Sequence, residues 1–294
     1  MKYFLFTTIF FLAQIPSGSL RAQQNKKEII FHITSKHTSF PDTGRKNGHL
    51  YENKLYSARD HYNDSSVLII VPGNLDVKKK IDLVYWFHGW GNHIDSAAKR
   101  YELTSQFLTS NRNAILILPE TAFNAPDSYG GKLENPGEFE ALTTDILTSL
   151  KDRKIIKKNC EPGHIVLAGH SGAYRVIAKI ILNGHLAIDE VLLFDALYSQ
   201  TDIYLNWLKT DSKHRFVHIA TNYGEGPLEE SKRMTQLLDK DAMRYVQFEE
   251  SMVTSTDLQK NNILFIHSLK EHNEIVNQDN FKLMLQSSPF LKEF

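Results

Sequence analysis

The chain has very little cysteine: Cys160 is the single thiol among 294 residues. One thiol excludes an intramolecular disulfide, so the fold must be stabilised by its core. An excess of charge of one sign is also missing, because 34 basic residues balance 34 acidic ones. Such a balance does not indicate a basic surface for binding nucleic acid or a polybasic patch for binding a membrane. We therefore expect a small or neutral partner rather than nucleic acid or a membrane surface.

Signatures of several enzyme classes are absent as well. The sequence contains no HExxH zinc motif, no phosphate-binding P-loop and no GxGxxG dinucleotide motif. We accordingly predict no metal and no organic cofactor. No internal repeat, low-complexity tract or proline-rich linker divides the chain. With 41% hydrophobic and 23% charged residues, the composition suits one large α/β domain with an ample core.

The first residues have the layout of a secretory signal peptide. Lys2 precedes the apolar run 3–13, and small residues lead up to Ala22. We predict cleavage after Ala22, which assigns residues 1–22 to the signal peptide and residues 23–294 to the mature domain, in a secreted or periplasmic bacterial protein. An uncleaved anchor or a buried N-terminal element is the alternative. The apolar run is too short to span a bilayer comfortably, so we expect no stable membrane insertion after cleavage.

A short apolar strand turns into a helix around Ser171. Residues 165–168 are all apolar, and the run is long enough only for a buried strand of a parallel sheet. After the sequence GHSGA, apolar residues recur at helical spacing as far as Gly184. Small residues two positions before and after the serine permit a sharp bend that presents its hydroxyl. An ordinary turn or a helix N-cap is the alternative interpretation.

This pattern resembles the nucleophile elbow, GxSxG, of the α/β-hydrolase fold, with Ala173 in place of the last glycine. The resemblance covers nearly all of the mature chain, and it extends to uncharacterised exported bacterial members of this fold. It implies that Ser171 is the nucleophile of a serine hydrolase. It also implies that the backbone N–H of Gly172 stabilises the oxyanion formed during acyl transfer.

A second loop of the same kind follows an earlier strand. Residues 81–87 are predicted to form this strand, which breaks at His88 and the glycine-rich segment after it. The resemblance implies that the backbone N–H of Gly89 or Trp90 is the second oxyanion donor, because HG-containing loops have that role in this fold. A turn that merely ends the strand is the alternative.

The base has to be chosen from 13 histidines. His272 lies in the loop after the last predicted strand, 262–266, and the resemblance implies a general base at that place. His267 ends the strand too early, whereas His88 and His170 belong to loops where they shape the site. We therefore predict that His272 accepts the proton of the serine.

The acid has two candidates. Asp195 directly follows the predicted buried strand 190–194, where a carboxylate is costly unless a donor such as a catalytic histidine meets it. Members of the family more commonly carry the acid after the next strand, where Glu225 stands in a glycine-flanked loop. We prefer Asp195 because its position at a strand end is rigid, and Glu225 stays the alternative.

The segment 120–137 is rich in Gly, Pro and Asn and is long for a connection in an α/β domain. It follows a buried strand at the sheet edge where ligands bind in open parallel sheets. We predict that Phe123 and Tyr129, and with them Glu120, lie near the substrate pocket. A plain surface loop is an equally weighted alternative.

Strands that alternate with helices predict a single-domain α/β fold with a mostly parallel central sheet and helices on both faces. The order serine, acid, histidine agrees with the α/β-hydrolase resemblance. The function that we expect is hydrolysis of a small-molecule or polymer-derived carboxylic ester through an acyl-enzyme. An amidase or peptidase, an acyltransferase with the same triad, and a non-catalytic binding protein of this fold are the alternatives.

Overall fold

The computed structural model describes residues 27–77, 79–222, 226–277 and 279–294. The strands in these ranges are β1 Ile29–Thr34, β2 His49–Tyr51, β3 Lys54–Tyr56, β4 Ser66–Val71, β5 Lys80–Phe87, β6 Ala114–Pro119, β7 Glu161–His170, β8 Glu190–Phe194, β9 Arg215–Thr221, β10 Val246–Glu249 and β11 Ile263–Ser268. The α-helices are α1 Ala58–His61, α2 Ile94–Arg100, α3 Leu103–Thr109, α4 Glu138–Asp152, α5 Tyr174–Asn183, α6 Thr201–Thr210, α7 Gly226–Lys240, α8 Ser255–Lys260 and α9 Asn280–Ser287.

One sheet of nine strands organises the chain, in the order β1-β4-β6-β5-β7-β8-β9-β11-β10. Strand β4 runs antiparallel to both of its neighbours, and every pair from β6 to β10 is parallel. Parallel neighbours require crossover connections, which the helices provide. The prediction of a mostly parallel α/β sheet is confirmed.

The core lies on both faces of this sheet, as the side chains of β5 illustrate. Leu83, Tyr85 and Phe87 belong to one buried apolar cluster, and Val84 and Trp86 belong to a second. Successive side chains of a strand point to opposite faces, so the two clusters lie on the two sides of the sheet. Burial on both faces is the reason that the central strands are continuous apolar runs in the sequence.

Two predicted helices differ from the observed ones. The sequence pattern predicts one helix over residues 96–110, but this segment forms two short helices, because Glu102 adopts a left-handed conformation with φ +50° that interrupts the helix between them. The sequence pattern also predicts a closing helix from about residue 275 to 285, but the helix begins at residue 280 instead. Ile275 and Val276 are fully buried in the turns that precede it, so their apolar character reflects core packing rather than a helical face.

The structure also contains elements that the sequence did not predict. The polar composition of the segment before β4 predicts a surface connection, but this segment includes a hairpin, β2 and β3, whose turn residues Glu52 and Asn53 have φ of +48° and +62°. Strand β10 lies at an edge of the sheet, and its alternating half-buried and exposed residues give no apolar run.

Among the helices of the described residues, none has the length and apolar character needed to cross a bilayer. Within the same ranges, no group of three or more His, Cys, Asp or Glu side chains is arranged to hold a metal ion. The predicted signal peptide, residues 1–22, lies outside these ranges.

Candidate active site

The turn that carries Ser171 connects β7 to α5. Strand β7 ends at His170, and one 3-10 turn, Ser171–Ala173, leads directly into the helix. Ser171 has φ +54°, a conformation that costs a non-glycine residue about 1–3 kcal/mol. A Cβ atom at Gly169 would lie 2.6 Å from the Cβ of Ala173, so these two positions must be small. The backbone therefore forms the strained bend that the spacing of small residues predicts.

An acid and a base from distant parts of the chain meet beside this turn. Asp195 Oδ2 lies 2.5 Å from His272 Nδ1, although 77 residues separate them. The carboxylate is fully buried and also accepts hydrogen bonds from the Thr221 N–H at 2.9 Å and hydroxyl at 2.8 Å. Burial by itself would raise the pKa of Asp195, but the hydrogen bonds from His272 and Thr221 outweigh it and lower this pKa. The charged carboxylate holds Nδ1–H, so a neutral His272 carries its lone pair on Nε2.

Further contacts connect the base loop to the elbow. His170 Nε2 lies 2.8 Å from the backbone oxygen of His272, and the two rings are 4.5 Å apart between centroids. The Tyr198 side chain lies near that of Ser171, and its ring approaches the His272 ring with centroids 6.4 Å apart. The loops after β7, β8 and β11 thus converge at one edge of the sheet. The alternative acid, Glu225, lies outside the described residues.

The loop after β5 packs against the serine at very short range. A Cβ atom at Gly89 would lie 2.6 Å from Ser171 Cβ and 3.2 Å from its Oγ, so this approach requires glycine. A Cβ atom at Gly172 would lie 2.5 Å from the Trp90 indole. The indole Nε1 donates a hydrogen bond of 2.7 Å to Ser128 Oγ, which fixes the ring over the elbow. The backbone of both predicted oxyanion loops therefore lies next to the serine.

A buried ion pair anchors this loop from below. His88 Nδ1 lies 2.8 Å from the Gly89 carbonyl oxygen, and Nε2 lies 2.6 Å from Glu120 Oε1. Both partners are acceptors, so both ring nitrogens carry protons. Burial by itself would lower the pKa of His88, but the charge and hydrogen bond of Glu120 outweigh it and raise this pKa. Because C=O and N–H of a trans peptide point in opposite directions, the bond to the Gly89 oxygen turns the N–H of Trp90 away from His88.

Three residues predicted near the pocket have other contacts. Glu120 is fully buried beneath the oxyanion loop rather than exposed to a substrate. The Tyr129 ring has two guanidinium groups over it, that of Arg45 at 4.6 Å from its centroid and that of Arg175 at 5.1 Å. Phe123 stacks on a neighbouring histidine ring at 4.8 Å. The role of Phe123 and Tyr129 in substrate binding stays a prediction.

The sequence analysis assigned no role in the site to Tyr198. The residue follows Asp195 by three positions, on the segment that leaves the end of β8. A tyrosine directly after a strand end that carries a candidate acid is the signal that could have indicated it, because neighbouring parallel strands end at the same edge.

Comparison with known proteins finds similarity of structure without similarity of sequence. No family model matches this chain, and no curated protein matches its sequence. A solved ferulic acid esterase is similar over 90% of this chain and 97% of its own, with a TM-score of 0.56 and 10% identity. A mutant of the feruloyl esterase module from Clostridium thermocellum, complexed with sinapinate, is similar over 97% and 95%, with a TM-score of 0.52 and 11% identity. The chain has the α/β-hydrolase fold.

A third structure with the α/β-hydrolase fold matches over a comparable length. FphF of Staphylococcus aureus, a fluorophosphonate-binding serine hydrolase with substrate bound, is similar over 89% of this chain and 98% of its own, with a TM-score of 0.50 and 10% identity. The α/β-hydrolase resemblance of the GHSGA elbow is therefore confirmed at the level of the fold.

Proposed function

We propose that this protein is a serine hydrolase that cleaves carboxylic esters through an acyl-enzyme on Ser171. The observation that carries the proposal is the 2.5 Å hydrogen bond between Asp195 and His272 beside the strained Ser171 turn. A buried carboxylate that holds Nδ1–H leaves Nε2 as the proton acceptor, which a serine nucleophile requires.

The chemistry proceeds by two acyl transfers. Ser171 Oγ attacks the ester carbonyl carbon while its proton passes to His272 Nε2, and Asp195 stabilises the resulting imidazolium. The backbone N–H groups of Gly172 and Trp90 stabilise the oxyanion of the tetrahedral intermediate. Collapse of the intermediate breaks the bond to the alcohol oxygen, which takes the proton from His272. Water then attacks the acyl-enzyme by the same route and releases the acid.

An ester is the preferred substrate because solved proteins of similar fold are named feruloyl or ferulic acid esterases. This likeness supports a small-molecule or polymer-derived ester over an amide. Aryl acyl esters such as methyl ferulate therefore belong in the first substrate panel, together with simple acetates.

The test is covalent labelling with a fluorophosphonate probe, followed by mass spectrometry of the adduct. We expect the adduct on the peptide that contains Ser171, and no adduct in Ser171→Ala. The variant removes only a hydroxyl, so both proteins should have the same thermal unfolding curve. Folded wild-type protein that acquires no label on Ser171 would overturn the proposal.

We also propose that the protein is exported, since Lys2 and the apolar run 3–13 match a signal peptide. Intact mass measurement of protein recovered from the periplasm or the medium tests this. The expected N-terminal residue is Gln23. Full-length protein that begins at Met1 and stays in the cytoplasm would contradict the export proposal and leave the chemistry untouched.

A further inference from the structure

The mechanism above gives no role to Tyr198, which lies beside the two groups that transfer the proton. Its side chain lies near that of Ser171, and its ring lies edge-on to His272 with centroids 6.4 Å apart. The side chain is half-buried, so a bound substrate can reach it.

The Tyr198 ring has packing partners that restrict its movement. One edge rests against the start of α7, where a Cβ atom at Gly226 would lie 2.5 Å from the ring. The Tyr174 ring lies 6.0 Å away between centroids. The chain that leads to Tyr198 is fixed as well, because the N–H of Asp195 donates to the Ile219 oxygen at 2.7 Å. A hydroxyl held in this way is suited to bind one atom of the reacting group.

The side of the serine on which Tyr198 lies indicates which atom that is. The oxyanion faces the N–H groups of Gly172 and Trp90, whereas the leaving-group oxygen must face His272 to receive its proton. The Tyr198 ring lies edge-on to the His272 ring as well as near the serine, and this position assigns its hydroxyl to the leaving-group side.

We propose that Tyr198 is a further catalytic residue whose phenol O–H donates a hydrogen bond to the leaving-group oxygen during acylation. The inference rests on the proposed function. When the carbon–oxygen bond of the ester breaks, its electron pair stays on the alcohol oxygen. The proton that neutralises this oxygen comes from His272 Nε2, and Tyr198 keeps its own proton throughout. Its hydrogen bond stabilises the partial negative charge before that proton arrives.

The ionisation of Tyr198 is consistent with a donor role. Burial, and after it the charge of Asp195, raises the pKa of Tyr198 to about 12. The phenol therefore remains protonated across the neutral range in which a histidine base operates.

The test compares two acetate esters in Tyr198→Phe, which keeps the ring packing and removes only the hydroxyl. Ethyl acetate has a poor leaving group that needs stabilisation, whereas nitrophenolate leaves as a delocalised anion. We expect kcat/KM for ethyl acetate to fall on the order of 10²-fold, and for nitrophenyl acetate to stay within about threefold. Tyr245→Phe removes a hydroxyl that bonds to Asp239 instead, and it serves as the matched control.

The outcomes separate this inference from the proposed function. Wild-type protein without a fluorophosphonate adduct on Ser171 would defeat the proposed function and this inference with it. Tyr198→Phe protein that still acquires the fluorophosphonate adduct on Ser171 but loses activity equally on both esters would overturn this inference and leave the proposed function intact. Such a result would indicate a purely structural role for Tyr198. Unchanged activity on both esters would overturn the inference too.

Discussion

His170 Nε2 donates a hydrogen bond of 2.8 Å to the backbone carbonyl of His272, and so links the residue before the candidate nucleophile to the candidate base. A carbonyl only accepts, so Nε2 carries the proton and Nδ1 can accept from the Tyr101 hydroxyl, 3.2 Å away. Burial, followed by the nearby His272, lowers the pKa of His170 to about 3. A neutral ring in one tautomer therefore holds the base loop against the elbow.

Removal of this donor should displace the base. We expect His170→Phe to lower kcat by about 10² and to change KM little, because small misplacements of a catalytic group are costly. The unpaired His272 carbonyl should also cost about 1–3 kcal/mol of unfolding free energy. His170→Gln keeps an N–H donor and should retain more activity. Nitrophenyl acetate kinetics and urea unfolding measure both effects, and equal rates in His170→Phe and wild type would contradict the positioning role.

The choice of acid can be decided by a pair of substitutions. Asp195→Asn removes the charge that fixes His272, and kcat should fall on the order of 10³ to 10⁴. Glu225→Gln should leave kcat within about threefold. The two rates on the same ester decide the assignment: a large loss only in Glu225→Gln would transfer the role of the acid to Glu225.

The close approach of Gly89 to Ser171 can be tested by adding one methyl group. Gly89→Ala places a Cβ atom within 2.6 Å of Ser171 Cβ, so we expect kcat/KM to fall by at least about 10². Gly91→Ala is the matched control, because nothing lies within 4 Å of its added Cβ. Its φ of +60° costs about 1 kcal/mol of backbone strain without contact to the serine. Equal loss in the two variants would show that strain of the loop, rather than the contact, is responsible.

Acid should destabilise the folded protein through two buried neutral histidines. Burial lowers the pKa of His170 to about 3 and of His218 to about 4. The unfolded chain binds protons at these side chains near pH 6.5 and the native state does not, so the unfolding free energy decreases as the pH falls from about 6.5 towards 4. The raised pKa of His88 has the opposite sign, and its stabilisation is lost as the pH rises through its folded value.

Variants separate these contributions. His218→Asn should make the pH dependence of the unfolding free energy shallower by up to about 1.4 kcal/mol per pH unit. His185→Asn, at an exposed position, is the matched control. Urea unfolding between about pH 7 and about pH 4.5 measures the slopes. A His218→Asn slope equal to that of wild type would rule out this source of acid sensitivity.

A buried ion pair at the opposite end of the sheet should affect stability and not chemistry. Arg215 and Glu190 are both fully buried and paired at the starts of β9 and β8. We expect Glu190→Gln to cost about 3–5 kcal/mol of unfolding free energy, because it leaves Arg215 without its counter-charge. Activity per folded molecule should be unchanged, as active-site titration will show. A fall in kcat alone would mean that the two ends of the sheet are coupled.

The strands and the elbow could be predicted because their physical causes are local. The run 165–168 is apolar because both sides of a central parallel strand are buried, and the small residues around Ser171 follow from steric crowding in the turn. Similarly, Asp195 could be preferred because a strand end is rigid. These inferences need only the nearest residues along the chain.

What could not be predicted depends on contacts between distant segments. His88 and Glu120 are both polar, and no periodicity indicates that they pair in the interior. The turn at Glu102 has neither glycine nor proline to mark it, so the sequence predicts a continuous helix there. The position of Tyr198 in the site depends on the folded sheet, in which β7, β8 and β11 end at the same edge.

The hydrogen bonds that join the candidate catalytic loops have a consequence for thermal unfolding. His170 binds the His272 backbone, the Asp195 N–H binds the end of β9, and Asp195 in turn accepts the N–H of Thr221. None of these segments can detach without fraying the strands from which it emerges. Thermal inactivation and unfolding of the sheet should therefore follow one common curve, and no temperature should exist at which the molecule is folded but inactive.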